Sequence, residues 1–415
     1  MAKSALILVE GISTMRLYVQ AAQRLGLHPI ILSADPTQYD YLAAAGSESI
    51  RVDTDNLNAL IRECIRLREI YDIAGITTAQ ESVYATVGKL CNYFNLPGPN
   101  PTSIELCCDK FTQRQLLAEA GVPIPAYRLA GNAADIESAA AEIGLPVILK
   151  PAVGSGSCGV RLCRDADELA EHTTYLLGGE HIWESSPRIL VEEFAKGPLY
   201  GLEIMGNEII ATAAAVFGPP PHFVLHEFTI PALLTNDQNK RIADVSADCL
   251  RALGLGWGPT NIEVRWTKRG PVVIEVNPRL PGVPTPQMVQ LVYGIDLVTE
   301  HIKLVIGGVW DLRRKHSHAA AARILTPDRN GILEWIVGES RAAATTGVTE
   351  VKFYVAPNTP INCLDWIGYV IAASPTVAEA EEILQRAVEL IEWSITSFPT
   401  LGEQEQSAAT YRPDE

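Results

Sequence analysis

Glu263 and Glu275 lie within GWGPTNIEVRWTKRGPVVIEVNPRLPG, Gly256 to Gly282, a stretch with the pattern of a β-hairpin that carries acids on one face. Runs rich in Val, Ile and Trp flank Lys268-Arg269-Gly270, which reads as a three-residue loop with glycine at its left-handed position. Centring the hairpin on Arg269 sets Asn261 opposite Asn277, Glu263 opposite Glu275 and Arg265 opposite Val273. It sends Ile262/Val276, Val264/Ile274 and Trp266/Val272 to the other, apolar face. Carboxylates opposed on a ladder lie about 5 Å apart at Cβ and repel unless something neutralises them. A divalent cation would do so. Oxygen donors from Glu263, Glu275 and Asn277, with positions left for water and phosphate, suit Mg²⁺ better than zinc. The same residues also suit an ordinary solvated hairpin face.

Other stretches offer partners for such a cation. Leu145 to Leu149 reads as a strand that delivers Lys150, followed by a loop containing Gly154, Ser155, Gly156, Ser157, Cys158 and Gly159. Bare N–H groups in a loop of this composition can close on phosphate oxygens beside a lysine point charge, although a plain turn has the same composition. It is not a Walker loop, because the GKS or GKT ending is missing and Val160 to Cys163 reads as strand. Lys110 and Arg114 share a face of the helix that ends at Gly121, a pattern more often solvated than anion-binding. Arg188 to Phe194 reads as a strand ending in Glu192-Glu193-Phe194, whose backbone could meet an adenine edge. His226 follows the proline-rich stretch FGPPPHFVLHEFT and reads as a loop histidine or a substrate contact.

The elements that must position these groups begin with a strand–helix alternation. Strands at Ala5 to Val9, His28 to Ser33, Ser49 to Val52 and Ile73 to Thr77 alternate with helices at Met15 to Leu25, Leu57 to Ile70 and Glu81 to Phe94. That order predicts a parallel sheet with ligands beyond the carboxyl ends of its strands. The first turn, Glu10-Gly11-Ile12-Ser13, lacks G-x-G-x-x-G, so no NAD site is expected. Leu96 to Pro101 is a breaker cluster and marks a seam. Further on, a hairpin turns at Gly206-Asn207, helices are expected at Asp237 to Leu253, Thr285 to Val292 and Leu297 to Val305, and one long helix at Val377 to Ile395.

At 415 residues, 47% hydrophobic and 20% charged, the chain suits a multidomain globular protein. It has no apolar run near the roughly 18 residues of a membrane span. A net charge of −16 argues against nucleic acid as a partner. The eight cysteines form no CxxC pair and read as reduced thiols, and with no signal peptide evident a cytoplasmic location is expected.

In chain order, Asp109-Lys110 with its helix and GVPIP, LPVILKP with GSGSCGV, LVEEF, and NIEV with VIEVNPRLPG resemble the ATP-grasp superfamily over nearly the whole chain. PHFVLHEFTIPALL, RLPGVPTPQMVQLVYGIDLV and the pattern AAARIL, GVTEVKFYV, IGYVIA are similar to amino-acid ligases that make dipeptides. The resemblance implies an α/β ATP-grasp fold: a Rossmann-like parallel-sheet domain at 1–98, a central helical region with the small ATP-grasp subdomain at 99–190, a large domain with a C-terminal α+β subdomain at 191–400, and a disordered polar tail at 401–415. ATP with one or two Mg²⁺ ions, or Mn²⁺ in their place, is the implied cofactor set.

The implied roles are specific. Lys110 and Lys150 would hold phosphates, Ser155, Gly156, Ser157 and Gly159 would cover them, and Glu192, Glu193 and Phe194 would border the adenine. Glu263, Glu275 and Asn277 would bind metal, Arg279 would stabilise the carboxylate and its phosphorylated form, and His226 and Gly282 would meet substrate. Relatives often place a ribose-binding acid just after the Gly-Pro turn; Leu199 stands there, which leaves Glu203 for the ribose or for the amino-acid pocket. The implied activity is ADP-forming ligation of amino acids through an acyl phosphate, in a chain for which the resemblance allows a homodimer. The rival expectations are a purine-biosynthetic or carboxylating enzyme and a nucleotide-binding regulator without turnover.

Overall fold

In the computed structural model, described for residues 2–11, 14–39, 47–154, 158–178 and 188–398, four sheets are built from alternating α and β elements. The expected N-terminal parallel sheet is present, with Glu48–Arg51, His28–Ser33, Lys3–Val9 and Tyr71–Thr77 side by side. Lys3–Val9 and His28–Ser33 are apolar at nearly every central position, as strands covered on both faces require. Glu10 closes the end of the first strand with a φ of 51°. Its carboxylate accepts hydrogen bonds of 2.7 Å from Ser33 Oγ, the Ala34 N–H, Tyr39 Oη and Thr54 Oγ1. A carboxylate so fully bonded ties this turn together; Ile12 and Ser13 of the turn lie outside the described residues.

The breaker cluster is followed by a helix the residue pattern did not disclose, Pro101–Cys108, with proline in its first turn and Asn100 capping it. Asp109 ends that helix and caps the next, Lys110–Glu119. A small antiparallel sheet then places Tyr127–Ala130, Ile189–Glu193, Val147–Pro151 and Arg161–Cys163 in that order. The large sheet has eight strands; its edge hairpin is Pro259–Thr267 with Gly270–Asn277, beside Leu199–Met205 and Glu208–Phe217.

Two expectations are corrected here. Leu225–Ile230, expected to be the end of a proline-rich loop, is a strand paired with Glu208–Phe217 and Ala319–Leu325. The helix expected over Val377 to Ile395 stops at Val388, and Glu392–Thr396 forms a strand instead. In that strand Trp393 and Ile395 alternate with Ser394, the period-2 pattern of a half-buried strand. The polar tail 401–415 lies outside the described residues.

One face of the large sheet packs Leu202, Ile204, Ile262, Val264 and Val276 under the helix Asn236–Ala252. The opposite face carries Glu203 and Glu263 and, farther along, joins a core shared with the N-terminal domain. That shared core contains a buried polar contact, Tyr18 Oη to His301 Nδ1 at 2.5 Å. Burial pushes the His301 imidazole down to about 3, so it is neutral at any ordinary pH.

Candidate active site

The hairpin places Asn261 opposite Asn277 and Glu263 opposite Glu275, as the spacing predicts. Beyond them the expected register fails. Val264 pairs with Val273, Arg265 with Val272 and Thr267 with Gly270, so the loop is the two residues Lys268-Arg269 and Ile274 is a bulge. A bulge re-aims a side chain and frees a carbonyl. Ile274 thereby lines the cleft rather than the apolar face, and its carbonyl accepts from the Arg114 guanidinium. Gln113 fixes the neighbouring backbone in both directions, donating to the Val276 carbonyl at 2.8 Å and accepting from its N–H at 3.0 Å.

Arg114 is therefore not on a solvated face; it is fully buried. Its Nε donates to Glu192 at 2.6 Å, and Lys150 Nζ lies 2.7 Å from the other oxygen of the same carboxylate. Burial would raise Glu192, but Arg114 and Lys150 hold its pKa below the usual range. Burial draws Lys150 downward despite Glu192. Across the cleft Lys110 Nζ lies 2.9 Å from Glu275. Lys110, Lys150, Glu192, Glu193, Phe194, Glu263 and Glu275 all line this one cleft of about 810 Å³, part of it open to solvent, which is within the size range of small-molecule sites. Gly154 and Cys158 line it too; Ser155, Gly156 and Ser157 lie outside the described residues, and Gly159 sits at their downstream end with a φ of 69°.

The two opposed acids titrate apart. Burial and then Glu275 raise the Glu263 carboxyl. Glu275 goes the other way, because Lys110, Lys150 and Arg279 outweigh its burial. The Glu263 carboxylate makes no hydrogen bond or ion pair among the described residues. Asn277 donates its amide to Asn261 Oδ1 at 3.3 Å, which leaves its own oxygen available. Two carboxylates and an amide oxygen with an uncompensated acid between them fit a hard divalent cation; among the described residues no cluster of three or more His, Cys, Asp or Glu offers an alternative.

Arg279 Nε donates to Glu81 at 3.0 Å. Glu81 comes from the N-terminal domain, just beyond the strand Tyr71–Thr77, and the residue pattern alone did not single it out. Its place past a carboxyl strand end was the available signal. Glu203 faces Asn261, whose amide donates to it at 3.0 Å, while its other oxygen is buried without a partner among the described residues. Burial raises its carboxyl to about 8. It is not on the cleft wall beside Phe194, where a ribose acid would stand. His226 is the bulged residue between Leu225 and Glu227 and does not line the cleft. A Cβ built on Gly282 would meet open space, so no protein contact demands glycine there.

This fold and this cleft define an ATP-grasp protein, and comparison with known proteins agrees. Residues 143–287 match the ATP-grasp domain and residues 323–396 match the L-amino acid ligase C-terminal domain 2. The chain belongs to the ATP-grasp superfamily, in one family with the uncharacterised protein y4rH of Sinorhizobium fredii (strain NBRC 101917 / NGR234), to which it is 60% identical over 99% of its own length and 87% of that protein's. Carnosine synthase 1 of Homo sapiens is 26% identical over 74% of the chain, which spans 40% of that protein's length. In structure, the L-amino acid ligase from Bacillus licheniformis is similar with a TM-score of 0.80 at 19% identity, over 96% of this chain and 100% of that one, a likeness of fold.

Proposed function

We propose that the protein is an ADP-forming carboxylate–amine ligase that joins amino acids through an acyl phosphate. The observation that carries this reading is the convergence of Lys110, Lys150, Glu263 and Glu275 on one cleft, with Arg279 two residues beyond the Asn277 amide. The match of residues 323–396 to an L-amino acid ligase domain and the similarity to carnosine synthase 1 support amino acids as the substrates.

Chemically, a substrate carboxylate oxygen attacks the γ-phosphorus of ATP, the P–O bond to ADP breaks, and an acyl phosphate forms. A free amine then attacks the acyl carbon, the C–O bond to phosphate breaks, and the amine proton passes to solvent. The protein contributes position and charge rather than covalent chemistry. Lys110, at the start of its helix, and Lys150, on the small sheet, hold phosphate oxygens. Arg279, oriented by Glu81, holds the carboxylate as it becomes phosphorylated. Mg²⁺ held by Glu263, Glu275 and Asn277 would neutralise the triphosphate. Glu263, Glu275 and Arg279 are all present, which weighs against a regulator without turnover.

A phosphate-release screen over pairs of amino acids, with mass detection of the product, tests the reading. ADP, phosphate and a dipeptide in equal amounts are expected for at least one pair. Release with bicarbonate alone, or with no pair, would contradict it.

A further inference from the structure

Three polar residues form one row across neighbouring strands of the large sheet. Asn261, in the strand Pro259–Thr267, stands opposite Glu203 on one side and Asn277 on the other. Residues in register across a ladder turn their side chains to the same face, so the three can touch in sequence. Glu203, Asn261 and Asn277 are all buried, at 4%, 9% and 6% exposed. The next row along the same strands is Gly201, Glu263 and Glu275, which carries the acids assigned to metal.

The hydrogen bonds along the first row run in one direction. The Asn261 amide donates to Glu203 Oε1 at 3.0 Å and, more loosely, to the Leu202 carbonyl at 3.5 Å. The Asn277 amide donates in turn to Asn261 Oδ1 at 3.3 Å. An asparagine side chain has a donor end and an acceptor end in fixed opposition, so turning one of a pair turns the next. Glu203 starts the sequence, since the oxygen it shows to Asn261 accepts. Asn261 must then give its NH₂ to Glu203 and its oxygen to Asn277, and Asn277 must give its NH₂ to Asn261. Only the Asn277 oxygen is left for an ion. A proton on the other Glu203 oxygen, which has no partner among the described residues, leaves this order unchanged.

We propose that Glu203 and Asn261 are positioning residues that orient the Asn277 amide, so that its oxygen and not its NH₂ group meets the divalent cation. The proposal rests on the metal reading of the hairpin. A hard cation takes oxygen ligands and is repelled by the partly positive hydrogens of an amide NH₂. A flip at Asn277 would therefore subtract a ligand and add a repulsion. Neither Glu203 nor Asn261 needs to touch the ion, the nucleotide or a substrate, which accords with the absence of both from the cleft wall.

Equilibrium binding of Mn²⁺, with no turnover, tests the relay. Protein in excess over ADP is titrated with Mn²⁺, and the free ion is measured by electron paramagnetic resonance. Glu203→Leu and Asn261→Leu should each weaken Mn²⁺ binding about tenfold to a hundredfold, the range for outer-shell partners of metal ligands. Glu203→Gln, which keeps an acceptor for Asn261, should stay within about threefold of the wild type. ADP affinity in EDTA should change by less than about twofold in every variant, which shows the fold and the nucleotide wall intact. On an Asn277→Asp background either leucine substitution should cost less than about threefold, because a carboxylate presents an oxygen whichever way it turns. Unchanged Mn²⁺ affinity in either leucine variant would overturn the proposal, so each position decides alone. An equal loss on the Asn277→Asp background would overturn it too, since the two residues would then act through the fold and not through Asn277. Wild-type protein that binds ADP but gathers no Mn²⁺ would instead overturn the metal reading itself.

Discussion

The two walls of the cleft balance their charges differently. On the small-sheet wall, Glu192 is shared by Arg114 and Lys150, at 2.6 and 2.7 Å, and all three are buried. The acid is fully paired, and one positive charge is left over. On the hairpin side, Glu263 and Glu275 share a sheet face with Glu203 of the neighbouring strand, which lies off the cleft wall, yet among the described residues only Glu275 has a cation in an ion pair with it, Lys110. The nearby Arg279 is drawn to Glu81 instead. The contrast separates residues that hold the architecture from residues that await a partner: the small-sheet Glu192 and its partner Arg114 should answer to mutation in stability, the acids of the incomplete hairpin wall in activity.

The largest expected effect tests the incomplete wall. Glu275→Gln should lower Mg²⁺-dependent phosphate release by at least about a hundredfold, the scale of losing one electrostatic contact to a transition state. Its melting temperature should stay within about 2 °C, because losing the Lys110 pair is offset by relief of repulsion with Glu263. A large drop in melting temperature with retained turnover would erase the distinction between the walls. The reverse substitution pattern applies to Glu192→Gln, which leaves Arg114 and Lys150 buried beside a neutral amide. Breaking a buried pair in this way costs about 3–5 kcal/mol, readable by denaturant unfolding; a loss under about 1 kcal/mol would show that the triad is not structural.

The last prediction concerns the pH dependence set by Glu203. Burial raises its folded-state pKa to about 8 from an ordinary value of 4.5, so between those values the unfolded chain has released a proton that the folded chain retains. Stability from this group is complete below pH 4.5 and is lost as pH rises towards 8. Glu203→Gln should therefore flatten the fall in melting temperature between pH 5 and 8. Parallel curves for the variant and the wild type would show that Glu203 is ionised in the fold and paired with a cation.

Much of the hairpin was legible in its local period. Glu263 falls opposite Glu275 in the expected and the observed hairpin alike, because a three-residue loop without a bulge and a two-residue loop with Ile274 bulged set the same positions in register. Alternation cannot foresee the bulge at Ile274, since that is settled by Arg114 capping its carbonyl from a helix 160 positions away in the chain. Arg114 itself looked solvated because its helix face also carries Lys110, and only the docking of the hairpin against that helix buries it. Glu81 escaped for the same reason, its partner Arg279 being 198 positions distant. The strand Leu225–Ile230 was masked by the preceding prolines, and its pairing with Ala319–Leu325 supplies the evidence that local composition withheld.

The central claim is that a substrate carboxylate, not water, attacks the γ-phosphorus. It is tested most directly by supplying the first amino acid with ¹⁸O in its carboxylate, together with ATP, Mg²⁺ and the partner amino acid found by the screen, and weighing the phosphate released. One ¹⁸O atom per phosphate, with the other retained in the amide, is the predicted result. Phosphate free of ¹⁸O alongside amide product would contradict the acyl-phosphate route.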